Sequence, residues 1–179
     1  MWVSDQLTAE TTYGHISNWD TSSVTDMQEL FKNHYLFNDD ISQWNVSNVI
    51  NMREIFFGCS EFNQDISNWD VSNLTNMEYM FYGCIYFNQN ITSWDVSNVS
   101  NMRGVFVYAT DFNQPIGLWN TSSVLDMSYM FNYASSFNEN LNSWDTSNVT
   151  YMPYVFSSAS SFDQPLDNWD VSNVDNMSQ

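Results

Sequence analysis

A repeat solenoid with one short parallel strand and one short helix in each 25-residue rung is the fold class this sequence predicts. Three observations point to it. Tryptophan recurs at Trp19, Trp44, Trp69, Trp94, Trp119, Trp144 and Trp169, a spacing of 25 residues with no insertion anywhere in the series. Each repeat splices a helical periodicity onto a stretch that has none. Composition is 43% hydrophobic and 17% aromatic, far more bulky apolar side chain than a disordered chain carries, so the array must bury a core.

In chain order, residues 1–13 precede the first repeat and are expected to form an N-terminal edge or cap. Residues 14–179 read as a single solenoid of about seven repeats, the last truncated. The helix of each rung is predicted from Met77, Met80, Phe81 and Cys84, which stand at i, i+3, i+4 and i+7, the stripe of a short amphipathic helix. Other repeats copy it, as in Met102, Val105, Phe106 and Ala109. Thr75 or Asn76 offers an oxygen for the N-cap, Gly83 marks the far end, and Pro153 must lie in the first turn of its copy.

The other half of the rung, "FNQNITSWDVSNV", has no 3.6-residue stripe. It predicts a short parallel strand, at Ile91–Trp94 or at Trp94–Val96, followed by turns. Its polar residues fall in columns. One is the Ser column from Ser22 to Ser172, with an Asn/Ser column beside it; another runs through Asn38, Asn63, Asn88, Asn113, Asn138 and Asp163. Stacked in register, such side chains satisfy turn backbone groups and one another, each rung acting as template for the next. Cys59 and Cys84 occupy one slot in adjacent rungs. Later rungs place Ala there, so the slot calls for a small buried side chain and the thiols are expected to be free.

The run FNQDISNWDVSNLTNMEYMF, residues 62–81, and its copies resemble the 25-residue repeat of bacterial surface lipoproteins of the mycoplasmal type, grouped with BspA-like leucine-rich-repeat surface proteins. The resemblance extends over about residues 14–179. It implies an α/β leucine-rich-repeat-like solenoid on a cell or particle surface, with adhesion or ligand binding as the usual role, and it implies no catalytic residues. Trp, Met and Phe stand here where ordinary leucine-rich repeats carry Leu, which puts the horseshoe curvature in question.

Charge narrows the partners. The chain has 21 acids against Lys32, Arg53 and Arg103, a formal net charge of −18, a field that repels phosphate backbones and anionic lipid. Nucleic acid is not an expected partner, and no apolar run is long enough for membrane insertion in this segment. A protein or glycan ligand, or a further copy stacked head to tail, is expected instead. A Ca²⁺ ladder on Asp20, Asp70, Asp95, Asp145 and Asp170 would need several oxygens converging at each site. Asn45 and Asn120 fill the gaps in that column, as hydrogen-bonding turn residues would, so neither metal nor cofactor is expected. No nucleophile–base constellation or phosphate-cradling Gly loop occurs, and the sequence predicts no enzyme.

Positions free to vary inside a strict repeat are those the core does not dictate. Two such columns are Glu29, Glu54, Tyr79, Gly104, Tyr129, Tyr154 and Lys32, Phe57, Tyr82, Val107, Asn132, Ser157. Tyr79, Tyr82, Tyr129 and Tyr154 are therefore the candidate binding face, aromatics of the kind that anchor protein or sugar contacts. The expected function is a non-enzymatic, extracellular or surface-displayed adhesion or ligand-binding module. The alternative is a structural subunit that stacks end to end into a fibre, sheath or surface layer, because an uncovered end face invites a heterologous contact that propagates.

Overall fold

The structure is a computed structural model and describes residues 2–178. Each 25-residue unit forms one coil, and coil stacks on coil with equivalent residues in register. The expected strand and helix of each rung do not form. The regular elements are α1, Gln6–Tyr13, and two short 3₁₀ turns, Ile16–Asn18 and Ile116–Leu118; among the described residues there is no strand. The α/β leucine-rich-repeat-like solenoid is thus corrected to a stack of coils built almost wholly from turns.

The segment read as a helix shows why. Its amides alternate between two destinations. Met77, Tyr79, Phe81 and Gly83 donate across to Asn101, Arg103, Val105 and Val107 of the next coil at 2.7–3.0 Å. Met80, Tyr82 and Cys84 donate back three residues, to Met77, Tyr79 and Phe81, at 3.0–3.2 Å. The chain is therefore a run of overlapping β-turns rather than an i→i−4 ladder. Tyr79 at φ 52° and Gly83 at φ 69° hold the third position of two of these turns, the place where a type II turn requires positive φ. Each i→i+3 turn also brings its first and last residues to one side, so Met77 with Met80, and Phe81 with Cys84, face the core as a helical stripe would.

The strand fails for a related reason. Among the described residues, sheet-type pairing between coils is reduced to a single parallel bridge per pair of coils, in the series Asp26, Asn51, Asn76, Asn101, Asp126, Tyr151, Asn176. Two residues further on, the backbone amide that would extend the ladder turns back on its own chain. The Oδ1 of Asn51, Asn76, Asn101 and Asp126 accepts from Arg53, Glu78, Arg103 and Ser128 N–H at 3.1, 2.9, 3.0 and 2.7 Å. In one coil the acceptor is lost, because Tyr151 stands in the column. There the amide is lost as well, because the residue two further on is Pro153, which has no N–H. At the places where the sequence suggested a strand, Trp94 N–H closes a turn on Ile91 O at 3.2 Å.

Apolar columns fill the interior. Phe56, Phe81, Phe106 and Phe131 stack coil to coil with ring centroids 5.5–5.7 Å apart, each also stacking on a second Phe of its own coil at 3.8–4.0 Å. The indoles pile beside them at 6.4–6.5 Å, nearly parallel, as in Trp69–Trp94 and Trp119–Trp144. Each buried indole from Trp44 to Trp144 donates its Nε1–H to a carbonyl of the preceding coil, Trp94 to Ile66 at 3.1 Å for example, so no donor of that column is stranded. A fully buried Phe or Met contributes about 1.5–3 kcal/mol, and a coil gains that only by lying on its neighbour.

The polar columns behave as expected. Asn63, Asn88, Asn113 and Asn138 each donate backbone N–H to the Oδ1 of the Asn one coil earlier at 2.8–3.1 Å. Asn48, Asn73 and Asn98 reach back to Ser22, Ser47 and Ser72 carbonyls at 2.7–2.8 Å. The carboxylates after tryptophan are turn caps: Asp20, Asp95, Asp145 and Asp170 accept Ser22, Ser97, Ser147 and Ser172 N–H at 2.9–3.0 Å. These serine hydrogen bonds hold the four carboxyls below their ordinary range. Cys59 and Cys84 are free and buried.

At the N-terminal end α1 is capped by Asp5, whose side chain accepts Thr8 N–H at 3.1 Å, and buries Ala9. Trp2 is also buried. Its indole donates to Asp39 at 2.9 Å and packs edge-on against His15 and Trp19 at 5.2 and 5.7 Å.

Candidate binding face

The two variable columns lie on one face, and the backbone of the first is unusual. Glu29, Glu54, Tyr79, Gly104, Tyr129 and Tyr154 all have φ between 52° and 60°. A third column beside them, Asn33, Gly58, Gly83, Tyr108, Tyr133 and Ser158, has φ between 57° and 74°. A left-handed conformation costs a residue with a Cβ about 1–2 kcal/mol. The coil therefore imposes this backbone at every repeat, and the side chain it carries is free to change.

All four predicted tyrosines are half-buried. Tyr79 and Tyr82 meet edge to face at 5.8 Å, and Tyr129 stacks on Tyr154 at 5.1 Å. The two pairs do not touch each other; Arg103 joins them. Its guanidinium lies 5.9 Å from the Tyr79 ring and 5.2 Å from the Tyr129 ring, and its Nε donates to Tyr79 Oη at 3.0 Å. That hydrogen bond, with the charges of Asp126 and Glu78, raises the guanidinium above its ordinary value. The Tyr79 ring crosses directly over Gly104, where a Cβ would clash with it. Gly104 is thus the one glycine of its column because its neighbour's ring needs the space.

Three aromatics escape the sequence reading or are undervalued by it. Phe57 stacks on Tyr82 at 4.2 Å, Tyr82 meets Tyr108 edge to face at 5.7 Å, and Tyr108 stacks on Tyr133 at 4.6 Å. Together they make a line of four rings on four successive coils. Tyr108 and Tyr133 are exposed, and reading their column as the end of a helix hid them. The left-handed slot that Gly58 and Gly83 share with them was the available signal. Burial, then the neighbouring Tyr108 and Tyr79, raises the Tyr82 phenol above its usual value.

Every cation of the chain is on this face. Lys32 pairs with Glu54 and, at 3.2 Å, with Glu29; Arg53 pairs with Glu54 and, at 3.3 Å, with both Glu29 and Glu78; Arg103 reaches Asp126 at 3.8 Å. Lys32 also lies over the Phe57 ring at 5.5 Å. The hydrogen bond to Glu54 is the main cause of its raised ammonium value. The chain's other acids make up most of the net charge of −18. Among the described residues no group of three or more His, Cys, Asp or Glu is arranged to hold a metal ion, and no helix is long and apolar enough to cross a membrane.

A turn-built coil array bearing one aromatic, cation-containing face is the class of protein these features define. The chain belongs to the DUF285 family, described as Mycoplasma protein of unknown function, with matches over residues 3–106 and 86–179. Neither a curated protein nor a solved structure matches it.

Proposed function

We propose that this protein is a non-enzymatic binding module displayed at a cell surface, and that the face bearing Tyr79, Tyr82, Tyr129 and Tyr154 receives a protein or glycan ligand. The observation that carries the reading is the contrast between fixed and free columns. The backbone of the face is identical from coil to coil, while its side chains range over Glu, Tyr, Gly, Lys, Phe and Val. What they assemble is Tyr and Arg, residues that dominate binding hot spots. Surface display draws support from membership of a Mycoplasma repeat family and from the likeness of the 25-residue unit to mycoplasmal surface lipoproteins.

End-to-end stacking into a fibre is the second reading. It is favoured by an apolar cleft of about 330 Å³ lined by Val155, Phe156, Leu166, Trp169, Val171 and Met177 among others. The opposite face is covered by α1 and Trp2, which a head-to-tail contact would have to displace. The test is an array of purified extracellular-matrix proteins and glycans probed with the full chain and with a variant carrying Ala at Tyr79, Tyr82, Tyr129 and Tyr154. A ligand held by the parent and lost by the folded variant is expected. Equal binding by both proteins, or ordered polymers forming from the parent alone, would overturn the reading.

A further inference from the structure

Twice on this face a cation covers an aromatic ring on a side where it has no ring beside it. Lys32 covers the outer side of Phe57, at the start of the four-ring line. Arg103 fills the gap between Tyr79 and Tyr129 that Gly104 leaves in their column. At the far end of the line this provision stops. Tyr133 stacks on Tyr108 on one side, and on the other the next coil offers only Ser158, exposed and small. Ser158 has φ 59°, the value of Tyr133 itself and within two degrees of Tyr108, so the backbone of the line continues although its side chain does not. Beyond Arg103 the sequence holds eight acids and no Lys or Arg, leaving nothing in that half of the chain to supply the missing charge.

We infer that the open side of the Tyr133 ring, above Ser158, takes an arginine or lysine side chain from a basic segment of a protein partner. This rests on the reading of the tyrosine face as a binding surface and names the chemistry of its ligand. A ring face attracts a cation through its quadrupole, and the acidic coils around it draw a basic segment in and hold its neighbouring charges. Planar guanidinium is preferred to ammonium, because it stacks on the ring as well as carrying charge.

The test uses the full chain with labelled tyrosine rings, observed by NMR while blocked pentapeptides of alternating Gly and Arg, Gly and citrulline, or Gly and Glu are titrated in. The arginine peptide should shift the Tyr133 ring signals and saturate. Citrulline keeps the shape and loses the charge, and should bind roughly 3- to 30-fold more weakly, the span of one cation–π contact. Read on the ring signals of the adjacent Tyr108, Tyr133→Ala should weaken the arginine peptide by a similar factor while Tyr133→Phe retains it. Ser158→Arg, which supplies the cation from within, should abolish the shift. Equal binding of citrulline, or shifts spread over the acidic columns and indifferent to Tyr133→Ala and Ser158→Arg, would overturn the inference. So would binding of phosphatidylcholine vesicles through Tyr133 without any response to the peptides, which would assign the ring to a lipid headgroup. If the four-tyrosine variant loses its ligand on the array and Tyr133 answers to no peptide, this inference falls and the binding face stands.

Discussion

Replacing Pro153 with Ala isolates the rule that governs the turns. In six coils a column of Asp or Asn caps an amide two residues on, with bonds such as Gln28 N–H to Asp26 at 2.8 Å and Ser178 N–H to Asn176 at 3.1 Å. In the remaining coil the cap is Tyr151 and the amide is absent, since Pro153 is buried in its place. Pro153→Ala creates a buried N–H with no acceptor, a penalty of about 1–3 kcal/mol. It also returns about 0.4–1 kcal/mol of entropy to the unfolded chain. Adding Tyr151→Asn should recover the first contribution and leave the second, whereas Tyr151→Asn alone should change little. Urea denaturation of the four proteins closes the cycle, and the coupling between the two sites is the quantity read. A double variant as unstable as Pro153→Ala alone would refute the claim that side-chain caps, rather than bonds to the next coil, satisfy these amides.

Gly104→Ala should destabilise the protein by roughly 1–3 kcal/mol, because the Tyr79 ring must leave its place and its bond to Arg103 goes with it; thermal unfolding of this variant and of its Tyr79→Ala combination, which should cost less than the two changes added, checks it. Burial pushes the Cys59 thiol up to about 12 from an ordinary 9.0 and Cys84 well above it, so folding favours the neutral thiols. Their contribution is present below pH 9.0 and drains away as pH rises towards 12, and a thiol reagent at pH 8 should label the native protein only as fast as it unfolds. The carboxyls of Asp20, Asp40, Asp65, Asp95, Asp145 and Asp170 are held low by Ser hydrogen bonds. Their contribution is therefore present above the ordinary 3.8 and lost as pH falls below it, and replacing all six by Asn should flatten the acid limb of the urea midpoint between pH 5 and pH 2. Thr92 Oγ1 is buried with no partner, so Thr92→Val should be neutral or stabilising by up to about 1 kcal/mol on calorimetry.

Stacking and capping were legible in the sequence; secondary structure was not. A fixed 25-residue spacing of Trp19 to Trp169 can only be kept if equivalent residues meet, and Asn substituting for Asp at Asn45 and Asn120 marked that column as turn caps. The helix was misread because Met77, Met80, Phe81 and Cys84 are the ends of two i→i+3 turns and also match the stripe of a 3.6-residue helix. Gly104, set where a helix interior would resist it, argued for turns. Tyr79, Tyr82, Tyr129 and Tyr154 were found because their columns vary. Arg103, Tyr108 and Tyr133 were missed because the contacts that unite them run between coils, at offsets of 24 to 26 residues that depend on which amides point across.

The central claim is that backbone amides in the segment after each Asx cap are shared alternately between the chain's own turns and the next coil. Scalar couplings measured by NMR across hydrogen bonds read this directly. Phe81 N should couple to the carbonyl carbon of Val105, and Met80 N to that of Met77. Couplings from these amides to carbonyls four residues earlier would mean a helix, and would contradict the account.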